Sequence, residues 1–574
     1  MLNYKLTMKN PIKLLILSIA AAAFLASCKK LETDPAYTID ENLVWDRLDS
    51  NAVVTQFYLN EIYRSLPEGF GRVGGDFIDA ASGDAIPSRR NTSIEYLYTG
   101  RVNAENTPDP YWNEAYAGIR RVNLLLKNIH RSAVKLENTG VDPREYWKAE
   151  ARFVRAMVYF ELIKRYGGVP LVGDTIFSTE DNIQLPRNSF AECVNYITTE
   201  CNAIRGKLRA EPISTGNWGR IPRGAALALK CRTFLYAASP LFNGNTNPLN
   251  GYTTASTAHW DSVIATAEQL KAIPQYTAFF NTALFKPTAA QGYGFIFTER
   301  MNNEIILARQ RGQTTDLENN NAPVGYTIQN SNGRTSPTQN FVDAFPNADG
   351  SPFNPASTTP YVGRDPRFYT TIFYHGYQWL GRAVDVSEGG KDKPNSPTVP
   401  VQTRTGYYLR KFMGNFATST TYSNQNHNYP IFRVAEVILN YAEALNEVGR
   451  VEDAVNMIKL VRNRAGITAG TGSRYGIPAG ITQAAMRDLI RNERRIELSF
   501  EDHRFWDIRR WKIAEQVLNG PLYGVKILKK PDNSFTTPER VEVGTATFNK
   551  RLYFMPIPYL VMLKNNKLIQ NEGW

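Results

Sequence analysis

Apolar residues recur three and four positions apart in several stretches of the chain, which places them on one face of an α-helix. Ala115, Ile119, Val122, Leu126 and Ile129 form one such run. The same spacing predicts further helices at 146–163, 190–208, 222–236, 258–272, 434–448, 451–465 and 482–502. These helices come in pairs, so the pattern predicts tetratricopeptide-like hairpins, in which each helix pair needs a neighbour to cover its apolar face.

Two stretches lack this periodicity. Residues 274–428 are rich in Gly, Pro, Asn, Ser and Thr, and residues 64–110 form a second irregular region. We expect two short β-like runs, FIFT at 295–298 and EIILARQ at 304–310, to order the longer region. Long ordered loops usually carry function. The pattern therefore predicts a mainly α-helical scaffold with large irregular loop regions and short β elements.

The composition is that of a globular protein, with 43% hydrophobic and 21% charged residues in a chain of 574. Single cores stop growing at roughly 250 to 300 residues, so we expect either two domains or one elongated helical array with insertions. The formal net charge of +12 is spread among carboxylates and forms no long basic run. This pattern argues against a nucleic-acid partner.

The N-terminus is typical of a secreted lipoprotein. Three lysines precede an uninterrupted apolar or small run at 14–25, and no acidic residue occurs before Glu32. The tetrapeptide at 25–28, LASC, looks like a bacterial lipobox. We therefore expect a signal peptide at 1–27 and lipid attachment at Cys28, with membrane attachment through that lipid.

No motif of a metal or cofactor site is present. Three cysteines remain after cleavage, at 193, 201 and 231, and none forms a CxxC pair. On a helix, Cys193 and Cys201 would lie about 12 Å apart, too far for a disulfide. The five histidines are widely separated, and neither a GxSxG nor a P-loop motif occurs. The prediction is that the protein holds no metal and no cofactor; calcium among the Asp and Asn residues of the loops stays open, but no EF-hand spacing supports it.

Several blocks of the sequence resemble one protein family. These are the lipobox, YWKAEARFVRAMVYFELIKRYGGVPLV at 146–172, FRVAEVILNYAEALNEVG at 432–449, the opening stretch and LYFMPIPYLVMLKNNKLIQNEGW at 552–574. Their order and distances are similar to those of the SusD/RagB family of Bacteroidetes outer-membrane lipoproteins. The resemblance implies a non-catalytic, surface-exposed nutrient-binding protein with four tetratricopeptide-like units. It also implies a partner, a SusC-like TonB-dependent barrel, and an oligosaccharide ligand or, in some members, a peptide.

The resemblance also implies a layout for the mature chain. We expect a single SusD-like domain at 28–574, with the helical scaffold at about 40–272 and 430–511. The ligand-binding insertion would occupy about 274–428, and a C-terminal segment 512–574.

The stretch NERRIELSFEDHRFWDIRRW at 492–511 allows two interpretations. Glu493, Glu497 and Glu501 recur every four residues, and two carboxyls at about that distance would suit a retaining glycosidase. A general acid must stay protonated, however, whereas neighbouring arginines at 491, 494, 495 and 504 would lower the carboxylate pKa values. We therefore favour a structural clamp over catalysis. Its predicted members are Glu493, Arg494, Glu497, Glu501, Arg504, Asp507 and Arg509, with Phe505, Trp506 and Trp511 completing the junction to the loop region.

Candidate ligand contacts come from the irregular segments that match the family's binding region. Sugars present apolar faces and many hydroxyls, which aromatic rings and polar side chains complement. The predicted polar contacts are Arg72, Asp76, Asp84, Arg89 and Asn91, and the predicted rings are Tyr374, Tyr377, Trp379 and Trp218. Arginines 72, 89 and 90 hint at an anionic sugar or a carboxylate, although solvated loop arginines are the commoner explanation of such a cluster. A capping lipoprotein without a ligand remains a third hypothesis beside the binding protein and the glycosidase.

Overall fold

Long helices form the scaffold of the protein. The computed structural model describes residues 44–137, 140–178, 180–281, 293–326 and 332–574. The predicted signal peptide and Cys28 lie outside these residues. The helices are α1 Val53–Tyr63, α2 Ser93–Tyr98, α3 Tyr111–Asn128, α4 Pro143–Tyr166, α5 Phe190–Arg205, α6 Arg223–Ala238, α7 Ala258–Lys271, α8 Pro274–Asn281, α9 Phe295–Thr298, α10 Asp316–Asn321, α11 Gln339–Val342, α12 Pro366–Thr371, α13 Val434–Glu447, α14 Val451–Ala465, α15 Gln483–Glu497, α16 Arg504–Arg510, α17 Ala514–Val517 and α18 Tyr559–Lys564.

The long helices pack in sequence order. Helix α3 packs on α4, α4 on α5, α5 on α6 and α6 on α7. After the irregular region, α13 returns to pack on α7 and then contacts α14 and α15. Each pair covers the apolar face of its neighbour, which confirms the predicted scaffold of tetratricopeptide-like hairpins.

Local sequence signals set the helix ends. Pro143 occupies the first turn of α4, where a backbone N–H would have no partner within the helix, so its absence breaks no hydrogen bond. The carboxylate of Asp142 caps the helix by accepting a hydrogen bond from the Arg144 N–H. Ser189 and Glu192 form a reciprocal capping box at the start of α5. These signals place the helix starts within a few residues of the positions predicted from periodicity.

Short antiparallel strand pairs tie the irregular segments together. The strands are β1 Ala85–Pro87, β2 Ile305–Arg309, β3 Thr335–Pro337, β4 Ile372–Phe373, β5 Gln378–Trp379, β6 Arg382–Ala383, β7 Tyr408–Leu409, β8 Tyr429–Arg433, β9 Gly520–Lys526 and β10 Glu539–Ala546. They pair as β1–β3, β2–β8, β4–β7, β5–β6 and β9–β10. Because β8 continues directly into α13, the β2–β8 pair fixes both sides of the irregular region to the scaffold.

Helix α4 lies at the centre of the core. Its residues from Val154 to Tyr166 are all buried, which is the pattern of a helix surrounded on every side. The main apolar core extends along the chain from Trp45 to Leu568. A second apolar cluster, which includes Phe373, Trp379 and Tyr408, lies beneath the irregular segment.

Three details differ from the sequence prediction. FIFT forms the short helix α9 and not a strand, because Ile296 and Phe297 turn into the core beside Tyr293. The last long helix ends at Glu497 and not at 502, since Phe500 and Asp502 adopt positive φ angles of 59° and 63° that an α-helix does not allow. The region 64–110 contains β1, α2 and a 3₁₀ turn at Ile78–Ala81.

Candidate functional site

The predicted clamp contains a buried network of ion pairs centred on Glu497. Its Oε1 lies 2.6 Å from Nη1 of Arg433 and also pairs with Arg464. Its Oε2 lies 2.9 Å from Nη1 of Arg367. Burial alone would raise the pKa of Glu497, but these three guanidinium groups outweigh burial and hold the pKa below its usual range. Glu497 is therefore a buried, ionised carboxylate.

The neighbouring carboxylates are paired in the same way. Glu493 lies 2.7 Å from Arg367 and 2.8 Å from Arg462, and Glu501 lies 2.6 Å from Arg433. Burial would raise the pKa of Glu493, yet Arg367 and Arg462 lower it. The ammonium group of Lys411 lies 2.7 Å from Glu501, and burial lowers the lysine pKa to about 8.

The partners differ from those that the sequence suggested. The interpretation assigned the glutamates to arginines within one helical turn, whereas Arg367, Arg433, Arg462 and Arg464 come from other elements. Side chains one or two positions apart on a helix point in different directions and do not meet. Glu501 also lies beyond the end of α15, so the three glutamates do not share one helix face.

A second buried network joins α16 to α13. Arg510 makes two bonds to Glu443, of 2.6 and 2.8 Å, and a third of 2.7 Å to Asp507. Arg494 adds a bond of 3.1 Å to Asp507, and the indole of Trp511 donates to Glu443 over 2.7 Å. Asp507 and Arg494 therefore connect helices of the scaffold with one another and not with the loop region.

Arg504 and Arg509 contact the parts of the chain outside the helical array. Nε of Arg504 lies 3.6 Å from the carboxylate of Asp84. Arg509 donates to the Leu552 carbonyl over 3.2 Å and stacks 3.5 Å from the centre of the Phe505 ring. Burial without a carboxylate partner among the described residues lowers the pKa of Arg509 to about 9. This arginine holds the C-terminal segment through backbone acceptors.

Two of the predicted ligand contacts, Arg72 and Asp84, lie inside ion-pair networks. Arg72 lies 2.9 Å from Asp109 and also pairs with Asp502, and its side chain is 10% exposed. Asp84 is buried 2.6 Å from Arg495. In this structure their charges are directed to protein partners and not to solvent.

Asp76, Arg89 and Asn91 lie together near the surface, at the end of the β1–β3 pair. Arg89 is partly exposed and lies 3.7 Å from the buried carboxylate of Asp76. Asn91 is exposed and adopts a φ of 58°. Arg334, which directly precedes β3, also joins this group. It was not among the predicted contacts, because no local pattern distinguishes it from other loop arginines.

Tyr374 and Tyr377 belong to a surface of four partly exposed rings, Tyr361, Tyr369, Tyr374 and Tyr377, here called the tyrosine surface. Ring centres lie 4.6 Å apart for Tyr361 and Tyr374 and 5.5 Å apart for Tyr374 and Tyr377. Buried Phe368 stacks beneath Tyr374 at 5.3 Å. The sequence interpretation missed Tyr361 and Tyr369, although both lie in the same irregular segment.

Of the two predicted tryptophans, Trp379 is less accessible than the tyrosine surface, whereas Trp218 is partly exposed like its rings. Trp379 is 3% exposed and packs against Tyr326 with ring centres 4.8 Å apart. Trp218 is partly buried beside β2 in a narrow crevice. Trp379 therefore serves as core for the irregular segment, and its ring faces are covered by protein.

A large cavity lies elsewhere in the described part of the chain, between α3, the segment 170–185 and α18. It has a volume of about 690 Å³, and its wall is mainly apolar, with Trp112, Tyr116 and Phe177 among the lining rings. None of the predicted ligand contacts lines this cavity.

The described side chains contain no group of three or more His, Cys, Asp or Glu arranged to hold a metal ion. Among the described helices, none combines the length and apolar character that a membrane span needs.

Comparison with known proteins places the chain in a family. Residues 295–574 match the model of the SusD family, and residues 32–235 match a model described as "Starch-binding associating with outer membrane". SusD-like protein P38 of Formosa agariphila is 23% identical over 539 residues, which cover 90% of this chain and 94% of that protein.

Solved structures show the same architecture. A SusD-like protein from Bacteroides fragilis is 27% identical with a TM-score of 0.75, and the match covers 93% of this chain and 98% of that one. A SusD-like carbohydrate-binding protein from the same species is 24% identical with a TM-score of 0.72, covering 92% of this chain and 100% of that one. The two family matches together span most of the sequence, and the solved structures share the fold over more than nine tenths of the chain, so the chain belongs to the SusD/RagB family.

Proposed function

We propose that this protein binds an oligosaccharide at the cell surface and delivers it to a SusC-like TonB-dependent barrel. The observation that carries the proposal is the tyrosine surface, in which buried Phe368 packs against Tyr361, Tyr369 and Tyr374. Aromatic faces complement the C–H faces of sugars, and phenolic hydroxyls complement their hydroxyl groups. The starch-binding description of the matching family model and the carbohydrate-binding relative from B. fragilis support a glycan ligand.

Lipid attachment at Cys28 would hold the protein at the outer membrane. The LASC sequence at 25–28 and the preceding apolar run support this assignment. The matching family model is described as associating with the outer membrane, which agrees with such an anchor. Each buried methylene contributes about 0.8 kcal/mol, and more than one acyl chain is needed for stable anchoring.

The ion-pair network argues against the glycosidase hypothesis. A glycosidase requires a general acid that stays protonated near neutral pH. Glu493 and Glu497 are fully buried, and the arginines around them lower their pKa values, so both are ionised. A binding protein needs no such acid, and the network explains the carboxylates as structural groups.

Truncation of the tyrosine rings tests the proposed site. Tyr374→Ala and Tyr377→Ala should each weaken binding of a glycan that the wild type binds by about twofold to tenfold, because aromatic contacts contribute roughly 0.5–1.5 kcal/mol. Isothermal titration calorimetry against a panel of oligosaccharides provides the measurement. Tyr559→Ala is the matched control, since that ring is 46% exposed on α18.

Three outcomes would contradict the proposal. Unchanged glycan affinity in both ring variants would remove the tyrosine surface from the site. Binding of peptides but of no oligosaccharide would favour the peptide-binding members of the family. Cleavage of a panel glycan that disappears in Glu497→Gln would favour the glycosidase hypothesis instead.

A further inference from the structure

Two arginines from distant parts of the chain meet at the end of the β1–β3 pair. Pro87 is the register partner of Thr335, so the residues that follow β1 face those that precede β3. The N–H of Ser88 donates to the carbonyl of Arg334 over 2.7 Å. Arg89 and Arg334 are therefore neighbours at the end of this antiparallel pair. The adjacent residues Ser88 and Gly333 also contact each other, although 245 positions separate them in the sequence.

A glycine turn brings the two guanidinium groups to one point. Arg89 donates from Nη2 to the Gly74 carbonyl over 3.0 Å, and Arg334 donates from Nη1 to the Gly75 carbonyl over 2.9 Å. A Cβ on Gly75 would lie 1.9 Å from Nη1 of Arg334 and 3.4 Å from Nη2 of Arg89. Gly75 also has a φ of 91°, which favours glycine. Both guanidinium groups thus flank a single residue that carries no side chain.

The charges at this point do not balance. Asp76 faces both arginines, but its carboxylate lies 3.7 Å from Arg89, which is too long for a hydrogen bond. Both Asp76 oxygens are buried without a hydrogen-bond partner among the described residues. Glu95, the other carboxylate facing Asp76, is already paired with Arg404 at 2.9 Å. The arginine pair therefore keeps an excess of positive charge.

The pair also keeps unused donors within reach of solvent. A guanidinium has five N–H donors, and the described contacts of Arg89 and Arg334 use one backbone carbonyl each. The Arg89 side chain is 31% exposed, and Arg334 is partly exposed. Two convergent guanidinium groups match the planar oxygen pairs of carboxylates and the oxygens of sulfate.

We propose that Arg89 and Arg334 bind the anionic group, a uronate carboxylate or a sulfate ester, of an acidic oligosaccharide. The inference rests on the proposed glycan-binding function and narrows its ligand to a chemical class. Gly75 and Asp76 act as positioning residues: Gly75 leaves room for the guanidinium groups, and Asp76 opposes the incoming anion.

Charge removal at the pair tests the proposal. The probes are a galacturonic acid oligomer, a sulfated galactan oligomer and a neutral galactan oligomer, each titrated by calorimetry. Arg334→Gln and Arg89→Gln should each weaken binding of the acidic probes by about tenfold to a hundredfold, because charge-assisted hydrogen bonds are lost. Arg64→Gln removes an exposed arginine on the scaffold, with a side chain 71% exposed, and should leave the affinity unchanged.

Arg334→Lys provides a second variant whose fold is easier to preserve. It retains the charge but loses the planar pair of donors, so the expected affinity is intermediate between wild type and Arg334→Gln. Unchanged melting temperatures would show that the affinity losses do not come from unfolding. The two acidic probes identify which anion the pair prefers.

Asp76→Asn should act in the opposite direction. Burial raises the pKa of Asp76 to about 6, so the carboxylate loses its charge as the pH falls through that value. Binding of the acidic probe should therefore strengthen between about pH 7 and pH 5 in the wild type, since the group opposing the anion becomes neutral. Asp76→Asn should bind the probe more tightly at pH 7 and should flatten this pH dependence.

The outcomes separate failure of this inference from failure of the proposed function. Equal affinity for neutral and acidic probes, unaffected by Arg89→Gln and Arg334→Gln, would overturn the inference and leave glycan binding intact. An acidic peptide that depends on Arg334 when no oligosaccharide binds would overturn the glycan assignment itself. Selective binding of either acidic probe, lost in both glutamine variants, supports the inference.

Discussion

The buried carboxylate of Glu497 is paired with arginines from distant parts of the sequence. Glu497 is fully buried, and three arginines compensate its charge. An ion removed from water costs several kcal/mol unless partners and hydrogen bonds replace the solvent. The network therefore stabilises the fold as long as every member is present, and it makes each member sensitive to substitution.

Glu497→Gln should destabilise the protein by about 3–5 kcal/mol, because buried guanidinium groups lose their compensating charge. Chemical denaturation followed by circular dichroism measures the change. Glu61→Gln is the matched control: its exposed ion pair with Arg64, at 3.2 Å, should contribute at most about 1 kcal/mol. Equal effects of the two variants would contradict a structural role for the network.

The pH dependence of the free energy of unfolding tests the role of Glu497 in a second way. The folded-state pKa of Glu497 lies below its unfolded value, which is about 4.3. The stabilising contribution of this carboxylate is therefore present above that pH and is lost as the pH falls below it. Between about pH 5 and pH 3, Glu497→Gln should lose less stability than the wild type.

At the scale of elements, the end of α4 is where several segments dock. Gly167 ends the helix with a φ of 75°, and the N–H of Gly168 donates to the Leu249 carbonyl over 2.5 Å. Asn571 from the C-terminal segment donates to the Tyr166 carbonyl over 3.0 Å and accepts from Arg187. The Arg165 carbonyl also accepts from the N–H of Met555, and the Tyr166 carbonyl accepts from Arg187, so carbonyls of the last helical turn receive donors from three separate segments.

Gly167→Ala should destabilise this junction strongly, because a Cβ there would lie 2.4 Å from the Leu249 carbonyl oxygen. Gly449→Ala is a matched control with a φ of 83° and no atom within 4 Å of the added Cβ. The control should cost about 1–2 kcal/mol from backbone strain alone. We expect Gly167→Ala to cost clearly more in denaturant titrations. Equal costs would show that the close approach of the 247–250 segment contributes nothing.

At the scale of the whole molecule, an exposed apolar face lies near Val44, the first residue that the structure describes. Leu48 is 92% exposed, and Val53 and Phe57 are 41% and 65% exposed one turn apart on α1. Cys28 and Val44 are sixteen residues apart, so even a fully extended chain would place their Cα atoms at most about 55 Å from each other. A lipid at Cys28 would therefore set an upper limit on the distance between Val44 and the membrane, and we propose that the SusC-like barrel contacts this face. Exposed apolar patches commonly mark interfaces.

If the proposed SusC-like barrel binds this face, Phe57→Asp should lower the amount of barrel that co-purifies with the protein from outer membranes. A central apolar anchor typically contributes about 2 kcal/mol or more to an interface, so the complex should weaken by at least tenfold. Leu560→Asp places the same charge at a side chain 69% exposed on α18. Loss of the barrel in Leu560→Asp but not in Phe57→Asp would overturn this placement and assign the interface to the C-terminal face.

Much of the helical scaffold could be predicted because helix periodicity is a local property. The spacing of apolar residues from Ala115 to Ile129 shows which face of α3 is apolar, and this can be read without knowing which helix packs against it. Helix ends were predictable where the cap lies in the adjacent sequence, as at Asp142 and Ser189. The end of α15 was not predictable from local sequence. Phe500 has a positive φ in the turn after this helix, and its N–H donates to Asp79, more than 400 positions away.

The family resemblance and the amino-acid pattern together predicted the fold class and pointed to the irregular segments that carry Tyr374, Tyr377 and Arg89. The partners of these side chains could not be derived in the same way. Arg334 reaches Arg89, and Arg433 reaches Glu497, because packing of the scaffold brings distant segments together. Local periodicity describes which face of an element avoids water, but charge pairing depends on which elements become neighbours. That choice is made by the packed core, so ion pairs and ligand-facing groups emerge only in three dimensions.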